Sequence, residues 1–273
     1  MIKSKKSLGV LIVMTMLVCT AAFAQNQPVT LKADNIFYDS ATGISKAEGN
    51  VVILQDGGEA KSERAEYNMN TKVGWLEGSV VAVKGDMSLS AQKVWIRNQN
   101  YIIAEGQAHI TKAGDSISAP RIDYWSDREF AQTSGGWGQL NQADGSVMTA
   151  NYIQYDMKKG EGLAESNVKL RSPSRNMTGA GDKATYTAGT KEKPGEFVLT
   201  GNAWIIQDGN KVMGNRLVVK SDSSESSASG NARLDIIPED KKPGEKGTDA
   251  VSSDNKDALA TKESAKKDGE KNK

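Results

Sequence analysis

The chain has 273 residues, a formal net charge of +1 and 6% aromatic residues, alongside 27 glycines. A charge so close to zero excludes the basic signature of a nucleic-acid-binding protein, which concentrates Lys and Arg. Hydrophobic residues make up 37% of the sequence, so we expect a thin, extended core and not a thick, round one.

The N-terminal segment has the parts of a signal peptide. Three lysines precede the apolar run LGVLIVMTMLVC (8–19), and Ala22 and Ala24 supply the small residues that a signal peptidase recognises. An uncleaved anchor is the alternative, but the run is short for a membrane span. We predict a cleaved signal peptide at 1–24. The only cysteine, Cys19, lies within it, so the mature chain is expected to have no disulfide.

The following sequence repeats a strand-like segment that contains a glycine. KAEGNVVI (46–53), LEGSVVAV (76–83) and AEGQAHIT (104–111) are the first three copies, and the last of seven is ASGNARLDI (228–236). A second pattern precedes each copy: a small residue, two further positions, and then alternating apolar or aromatic residues, as in ADNIFY (33–38). Two patterns that share a period of roughly 30 residues indicate a protein built from repeats.

Alternate positions in both patterns are apolar, which is the period of a half-buried β-strand. The residues two and four positions after the glycine are apolar in most copies, as in Val51 and Ile53. Turn-forming tracts such as NMNTK and TAGTKEKPG separate the strands. We therefore expect each unit to add two short strands to one continuous apolar strip, with the glycine ending a turn.

The first unit, KADNIFYDSATGISKAEGNVVILQDG, resembles the OstA/LptA-type repeat of lipopolysaccharide transport proteins. The resemblance extends over roughly residues 29 to 237. It is weaker at Ser166, which stands in place of glycine, and in the segment GGWGQLNQ. It implies an all-β fold, an open antiparallel β-jellyroll or "β-taco" built from about seven two-strand repeats.

The resemblance also implies a function and partners. A family member of this kind would be a periplasmic lipopolysaccharide-binding bridge that carries lipopolysaccharide from the inner to the outer membrane. The lipid A acyl chains would lie in an apolar groove. The implied partners are LptC-like and LptD-like proteins. The resemblance also implies that copies of the chain can join head to tail as a homo-oligomer. The family supplies no catalytic residues, so we expect no enzyme activity and no cofactor.

Three parts follow along the chain: a signal peptide at 1–24, an OstA-like repeat domain at 25–237 and a charged tail at 238–273. In the tail, charges of both signs alternate with Gly, Ser and Ala, and large apolar residues are almost absent. Such a segment cannot bury enough surface to offset its ordering entropy, so we predict that it is disordered.

The predicted groove-lining residues come from the apolar columns, because the family motif is structural and specifies no lipid contacts. Small residues among the valines and isoleucines would leave room for a guest, although they would equally let two sheets approach closely. The predicted lipid-binding set is Ile36, Val51, Ile53, Val80, Ala82, Val94, Ala108, Ile110, Ile122, Ile153, Val168, Leu170, Ala203 and Ile205.

The sequence offers little for catalysis or metal binding. His109 is the only histidine, so a two-histidine metal site is excluded and a histidine-based triad would depend on one residue. Glu59, Glu63 and Glu66 cluster, but they flank basic residues, which favours a solvated charged edge. The tyrosines of the second pattern are expected to belong to the core, with their hydroxyls near its rim.

The alternative is a secreted parallel β-helix that binds or cleaves polysaccharide, because it too has repeats with inward apolar columns. It predicts acidic residues at corresponding places in adjacent units. Glu48, Glu77 and Glu105 do align, one before each glycine. They are expected to lie beside turns, with no Arg or Lys recurring among them, and this interpretation therefore ranks second.

Overall fold

The structure, a computed structural model, describes residues 29–237 except 56, 99, 113, 157, 191–192 and 221–224. The chain divides into two units between Ile237 and Pro238, and all described residues belong to the first. The predicted signal peptide and the predicted disordered tail lie outside the described residues, so the three-part organisation stays a prediction.

The described residues form eighteen β-strands and one single-turn 3₁₀ helix at Pro173–Arg175. The first nine strands are β1 (Thr30–Lys32), β2 (Asn35–Asp39), β3 (Ile44–Gln55), β4 (Gly58–Asn68), β5 (Val73–Lys84), β6 (Met87–Ile96), β7 (Tyr101–Lys112), β8 (Asp115–Trp125) and β9 (Phe130–Ser134). The other nine are β10 (Gly138–Asn141), β11 (Val147–Ala150), β12 (Tyr152–Asp156), β13 (Glu161–Ser172), β14 (Met177–Thr187), β15 (Glu196–Gln207), β16 (Asn210–Lys220), β17 (Ser226–Ser229) and β18 (Arg233–Asp235).

The strands form one ladder in which every pairing is antiparallel. Eight of the eighteen form four interrupted strands: β1 with β2, β9 with β10, β11 with β12, and β17 with β18. Counting each interrupted strand once leaves fourteen positions, or seven two-strand units. The predicted all-β fold of two-strand repeats is confirmed, and the parallel β-helix alternative is wrong.

Four of the repeated glycines, Gly49, Gly78, Gly106 and Gly201, lie in the middle of a long strand and not at the end of a turn, so that part of the prediction is wrong for them. The strand β15, for example, has 12 residues, and its pairing register shifts between Thr200 and Ala203. Gly201 and Asn202 have φ angles of 71° and 47° there. Such a β-bulge adds one residue and bends the strand. The apolar alternation resumes beyond the bulge, which is why the sequence shows two separate short patterns.

Glycine is needed at the bulge because a side chain from the preceding strand occupies the space beside it. This side chain belongs to the residue that follows the small residue of the second sequence pattern. A Cβ placed on Gly201 would lie 2.9 Å from the Cβ of Asp182 and closer still to its carboxylate. The same arrangement brings Asp34 over Gly49. The amide of Asn202 then donates to the Asp182 carboxylate at 2.9 Å. The two sequence patterns therefore meet in one contact, in which the glycine of one strand makes room for a side chain of the neighbouring strand.

The bends divide the ladder into two arms. Arm A contains β2, β9, β12 and β17 with the strand halves that pair with them, and arm B contains β1, β10, β11 and β18 with the other halves. The hairpin turns alternate between the free ends of the two arms. One hydrophobic core unites the inward faces of both, including Ala47 of arm A and Val51 of arm B. We call the gap between the two free ends the mouth.

The segment GGWGQLNQ keeps its place in the ladder despite its unusual sequence. Strand β9 ends at Ser134 and β10 begins at Gly138, and both pair with β8. Between them, Gly135 and Gly136 have φ angles of 99° and 97°, which replaces the usual bulge with a longer excursion. The bend of the neighbouring strands therefore continues through this unit.

Candidate lipid-binding interior

Most of the predicted groove residues meet in the hydrophobic core between the arms. Ten are at most 6% exposed: Val51, Val80, Val94, Ala108, Ile110, Ile122, Ile153, Val168, Ala203 and Ile205. Ile53, Ala82 and Leu170 are half-buried and pack against the same core. The structure therefore brings thirteen of the fourteen together, mainly by packing them on one another. That they contact lipid stays a prediction.

Ile36 is the residue that the structure leaves outside, with 51% of its surface exposed. It lies in β2 at the first position of the ladder, where no described strand packs beyond it. Phe37 and Tyr38 in the same strand are also exposed. At the last position Leu234 and Ile236 are exposed as well. The apolar interior therefore reaches solvent at both ends of the ladder.

A row of tyrosines lines the inward face at the free end of arm A. Tyr124 is completely buried, and Tyr155 and Tyr186 are half-buried. The tyrosines alternate with small residues, so that a Cβ placed on Gly162 would lie 3.4 Å from Tyr155 Cδ2 and 3.5 Å from Tyr186 Cβ. Burial, with smaller contributions from Tyr186 and Asp115, raises the pKa of Tyr155 to about 12. The rings therefore close the interior while their hydroxyls stay neutral at ordinary pH.

The opposite side of the mouth is charged. On the inward face of arm B, Lys112 follows Ile110, and it is only 8% exposed. Burial lowers the pKa of Lys112, against the charges of Asp86 and Glu129. Glu129 belongs to the turn at the free end of arm A, so this interaction crosses the mouth. The sequence analysis did not single out Lys112, although this lysine interrupts the alternating apolar residues of β7.

Asp115 faces the same mouth from the other side of the β7–β8 turn. Burial and the charge of Asp144 raise its pKa, and a hydrogen bond from the backbone N–H of Ala143 (2.8 Å) opposes them. Burial is the main cause that raises the pKa values of Tyr155 and Tyr186 on arm A, and the Asp115 carboxylate adds to both. The interior is therefore apolar at the bend and polar at the mouth.

The outward face of arm A carries a ladder of alternating charges. Directly opposed pairs run through Glu48, Arg64, Glu77, Lys93, Glu105 and Arg121. Arg64 Nη2 lies 3.0 Å from Glu77 Oε2, and Lys93 Nζ lies 3.2 Å from Glu77 Oε1. The expectation that no Arg or Lys recurs among these glutamates is wrong, because antiparallel hairpins interleave residues from neighbouring strands.

The described part of the structure places no cluster of residues that could hold a metal ion. His109 lies on the outward face of arm B, with its Nδ1 2.7 Å from Ser118 Oγ. Within the described ranges, no group of three or more His, Cys, Asp or Glu residues is placed to hold a metal ion. In the same ranges, no helix is long and apolar enough to cross a membrane.

A bent antiparallel ladder with an apolar interior, a polar mouth and exposed ends defines a β-jellyroll repeat protein. The family described as "LptA/(LptD N-terminal domain) LPS transport protein" matches residues 59–225. The chain belongs to this family of lipopolysaccharide transport proteins, and the predicted membership of the OstA/LptA type is confirmed.

Among solved structures, the chain is similar to LptH, described as the LptA homologous periplasmic component of the conserved lipopolysaccharide transport device from Pseudomonas aeruginosa. The two are 14% identical, over 78% of this chain and 96% of LptH, with a TM-score of 0.17. No curated protein sequence matches the chain. The fold assignment rests on the strand pairing described above and on the family match.

Proposed function

We propose that the chain is a periplasmic lipopolysaccharide-binding bridge. It carries lipopolysaccharide from the inner to the outer membrane with the lipid A acyl chains in the interior between the arms. One observation supports this most: inward residues of both arms form one hydrophobic cluster that extends from β3 to β16. Each methylene of an acyl chain that leaves water for such a cluster contributes about 0.8 kcal/mol. On this proposal the protein catalyses no reaction and needs no cofactor.

Acyl chains must make room for themselves in this interior. Val51, Ile110 and Ile205 are at most 2% exposed and belong to the hydrophobic core that the inward faces of both arms share. A guest would therefore have to move the arms apart or displace these side chains. The acyl chain then packs against the same apolar side chains that the two arms had buried against each other, so the exchange costs little free energy. Such an exchange suits passage along the interior better than tight capture.

The ladder also supports end-to-end assembly with like-folded partners. Fourteen is an even number, so the first strand of a second copy would run antiparallel to the last strand of the first copy. Among the fourteen positions of the ladder, the strands that contain a bulge occupy the even-numbered ones. A second copy added at the end would therefore continue the alternation of strands with and without a bulge. Edge strands present free backbone groups that pair readily with another chain. We propose LptC-like and LptD-like partners at the two ends.

Photo-crosslinking tests the lipid-binding proposal. A photoreactive residue at Ile53, Ile110 or Ile205 faces the interior, whereas one at Val52 or Lys169 lies on the outward face of arm B. We expect lipopolysaccharide to label the inward set at least several-fold more than the outward set. Equal labelling of both sets would contradict an interior binding site.

A further inference from the structure

One hydrogen bond joins the two arms directly across the mouth. Arg175 ends the 3₁₀ helix between β13 and β14, at the free end of arm B. Its Nη2 donates to the backbone carbonyl of Lys220 at 2.7 Å. Lys220 is the last residue of β16, at the free end of arm A. The contact therefore closes the mouth over β13–β16.

The turn that carries Arg175 is longer than the β15–β16 turn beside it on arm B and is held in place. The β15–β16 turn consists of Asp208 and Gly209 alone, whereas four residues link β13 to β14. Pro173 begins the helical turn with its fixed φ, and Asn176 ends it at φ 47°. The side chain of Asn176 donates to Asp208 Oδ1 at 3.0 Å. This turn therefore projects Arg175 from a rigid base.

The acceptor is fixed as well. Lys220 pairs with Glu196 in the sheet, and its Nζ lies 2.7 Å from Glu225 Oε2. Because the acceptor is a backbone carbonyl, every residue at position 220 would offer it. The side chain at position 175 therefore decides whether the bond forms. A guanidinium has five donors and stays charged at all accessible pH values, which suits it to a long reach toward a carbonyl.

Other interactions cross the mouth in the same region. The carboxylate of Asp115 on arm B acts on the phenols of Tyr155 and Tyr186 on arm A, and Lys112 on arm B interacts with Glu129 on arm A. These groups lie between β7 and β14 and continue the closure toward the middle of the ladder. Arg175 differs from them because it forms a hydrogen bond of defined geometry from one arm to the other.

We propose that Arg175 is a latch that ties the arms together and makes the interior beneath β13–β16 a closed passage. While the latch is closed, a guest held in this stretch would not leave sideways through the mouth. The proposal rests on the proposed function, since the guest is the acyl part of lipopolysaccharide. Replacing the Arg175 side chain removes the latch, so loading of this stretch from the side becomes possible.

The first test measures the distance between the arms without any lipid. Spin labels are placed at Thr178 on arm B and Ser227 on arm A, both exposed, in a full-length chain whose Cys19 is replaced by Ser. We expect Arg175→Ala to broaden the distance distribution toward longer distances, and Arg175→Lys to do so less. Arg171→Ala removes an exposed arginine of the same arm and should change nothing. Identical distributions for all variants would overturn the latch.

The second test measures the release of lipopolysaccharide. Chains loaded with lipopolysaccharide carry a photoreactive residue at Leu170, beneath the latch, or at Ile53, far from it in the ladder. After dilution into detergent micelles, Arg175→Ala should speed the loss of labelling at Leu170 about tenfold, the factor expected when one charged hydrogen bond is removed. Labelling at Ile53 should decay as in the parent chain, and Arg171→Ala should behave as the parent chain at both sites.

The two tests separate failure of the latch from failure of the proposed function. Unchanged release at Leu170 in Arg175→Ala would overturn the closed passage even if lipopolysaccharide binds. If lipopolysaccharide labels neither Leu170 nor Ile53 in the parent chain, the proposed function fails. The spin-label distances then still decide whether Arg175 ties the arms together.

Discussion

At Gly201 the backbone enters the left-handed region, and the side chain of Asp182 occupies the space in which a Cβ would lie. Two requirements therefore meet at one residue: a positive φ and room for a neighbouring carboxylate. Asn202 adds a hydrogen bond to that carboxylate and also has a positive φ. Asparagine tolerates this conformation better than other residues with a side chain. The Gly-Asn pair is therefore a local solution to bending a paired strand.

Gly201→Ala should destabilise the protein more than Gly209→Ala. Both glycines have positive φ, but a Cβ at Gly209 meets nothing within 4 Å, whereas one at Gly201 collides with Asp182. We expect a loss of about 3 kcal/mol at Gly201 and about 1 kcal/mol at Gly209, measured by urea unfolding. Equal losses at the two positions would show that the carboxylate moves aside without cost.

Asp123 should make stability depend on pH in the acid range. Burial alone would raise its pKa, but hydrogen bonds from Arg121 and Tyr101 outweigh burial and lower it. Because the folded pKa lies below the unfolded one, the stabilisation is present above about pH 4 and is lost as pH falls through the folded value. We expect Asp123→Asn to cost about 2 kcal/mol at pH 7 and clearly less at pH 3.

A matched control for this prediction is Asp235→Asn. Asp235 also accepts a hydrogen bond from an arginine Nε, that of Arg233 at 2.7 Å, but on an exposed strand at the end of the ladder. Exposed pairs of this kind contribute little to stability. The two Asn variants should therefore differ at pH 7 and converge at low pH. A constant difference at both pH values would mean that Asp123 acts by packing and not by its charge.

The strands act as two half-strands joined at a bend, and each half has its own inward and outward face. On arm A the outward face carries a second, smaller hydrophobic cluster around Ile103, which is 3% exposed although it lies outside the main core. Trp125 stacks on Tyr101 with centroids 4.6 Å apart, and Lys93 lies over Trp95 at 4.2 Å. This cluster packs on the side of arm A that faces away from the interior.

Trp125→Ala should therefore reduce stability more than Trp137→Ala. Trp125 contacts Tyr101 and Phe130, while Trp137 lies 47% exposed in the excursion between β9 and β10. We expect a loss of about 2–3 kcal/mol for Trp125→Ala and less than about 0.5 kcal/mol for Trp137→Ala. Thermal and denaturant unfolding both measure this. Similar effects of the two substitutions would contradict an outward cluster that supports arm A.

The whole ladder has a direction and two different ends. Exposed apolar residues lie in β2 of arm A at one end, including Ile36, and in and after β18 of arm B at the other, including Leu234. Addition of a strand at either end would cover these residues and satisfy free backbone groups. The contact joins unlike surfaces, so it does not close on itself and can produce chains of varying length.

Ile36→Asp should weaken this assembly. The charge would have to be buried when another strand covers β2, which is costly without a partner. Sedimentation over a range of protein concentrations should show concentration-dependent growth for the chain truncated after Ile237, and none for the same chain with Ile36→Asp. Val81→Asp, exposed in the middle of the ladder, is the matched control and should still assemble. A strict monomer at every concentration without the substitution would refute end-to-end joining.

Period-two alternation and the recurring Gly pattern are local properties, so the sequence alone determined that the chain is an all-β protein of about seven two-strand repeats. The same alternation identified the inward residues, and thirteen of the fourteen meet in the core. Ile36 follows the pattern equally well, yet it is exposed, because burial depends on a neighbouring strand that the first position lacks. The amino-acid pattern specifies a face, and the tertiary structure decides what covers that face.

Contacts between residues far apart in sequence could not be predicted from the pattern. The place of the bend depends on Asp182 lying over Gly201, and the charge ladder depends on Arg64 lying opposite Glu77. The bond from Arg175 to Lys220 forms only after both arms have folded toward each other. Sequence periodicity repeats along one strand direction, whereas these contacts depend on how neighbouring strands are registered and how two bent halves approach. The tertiary structure alone decides such distances.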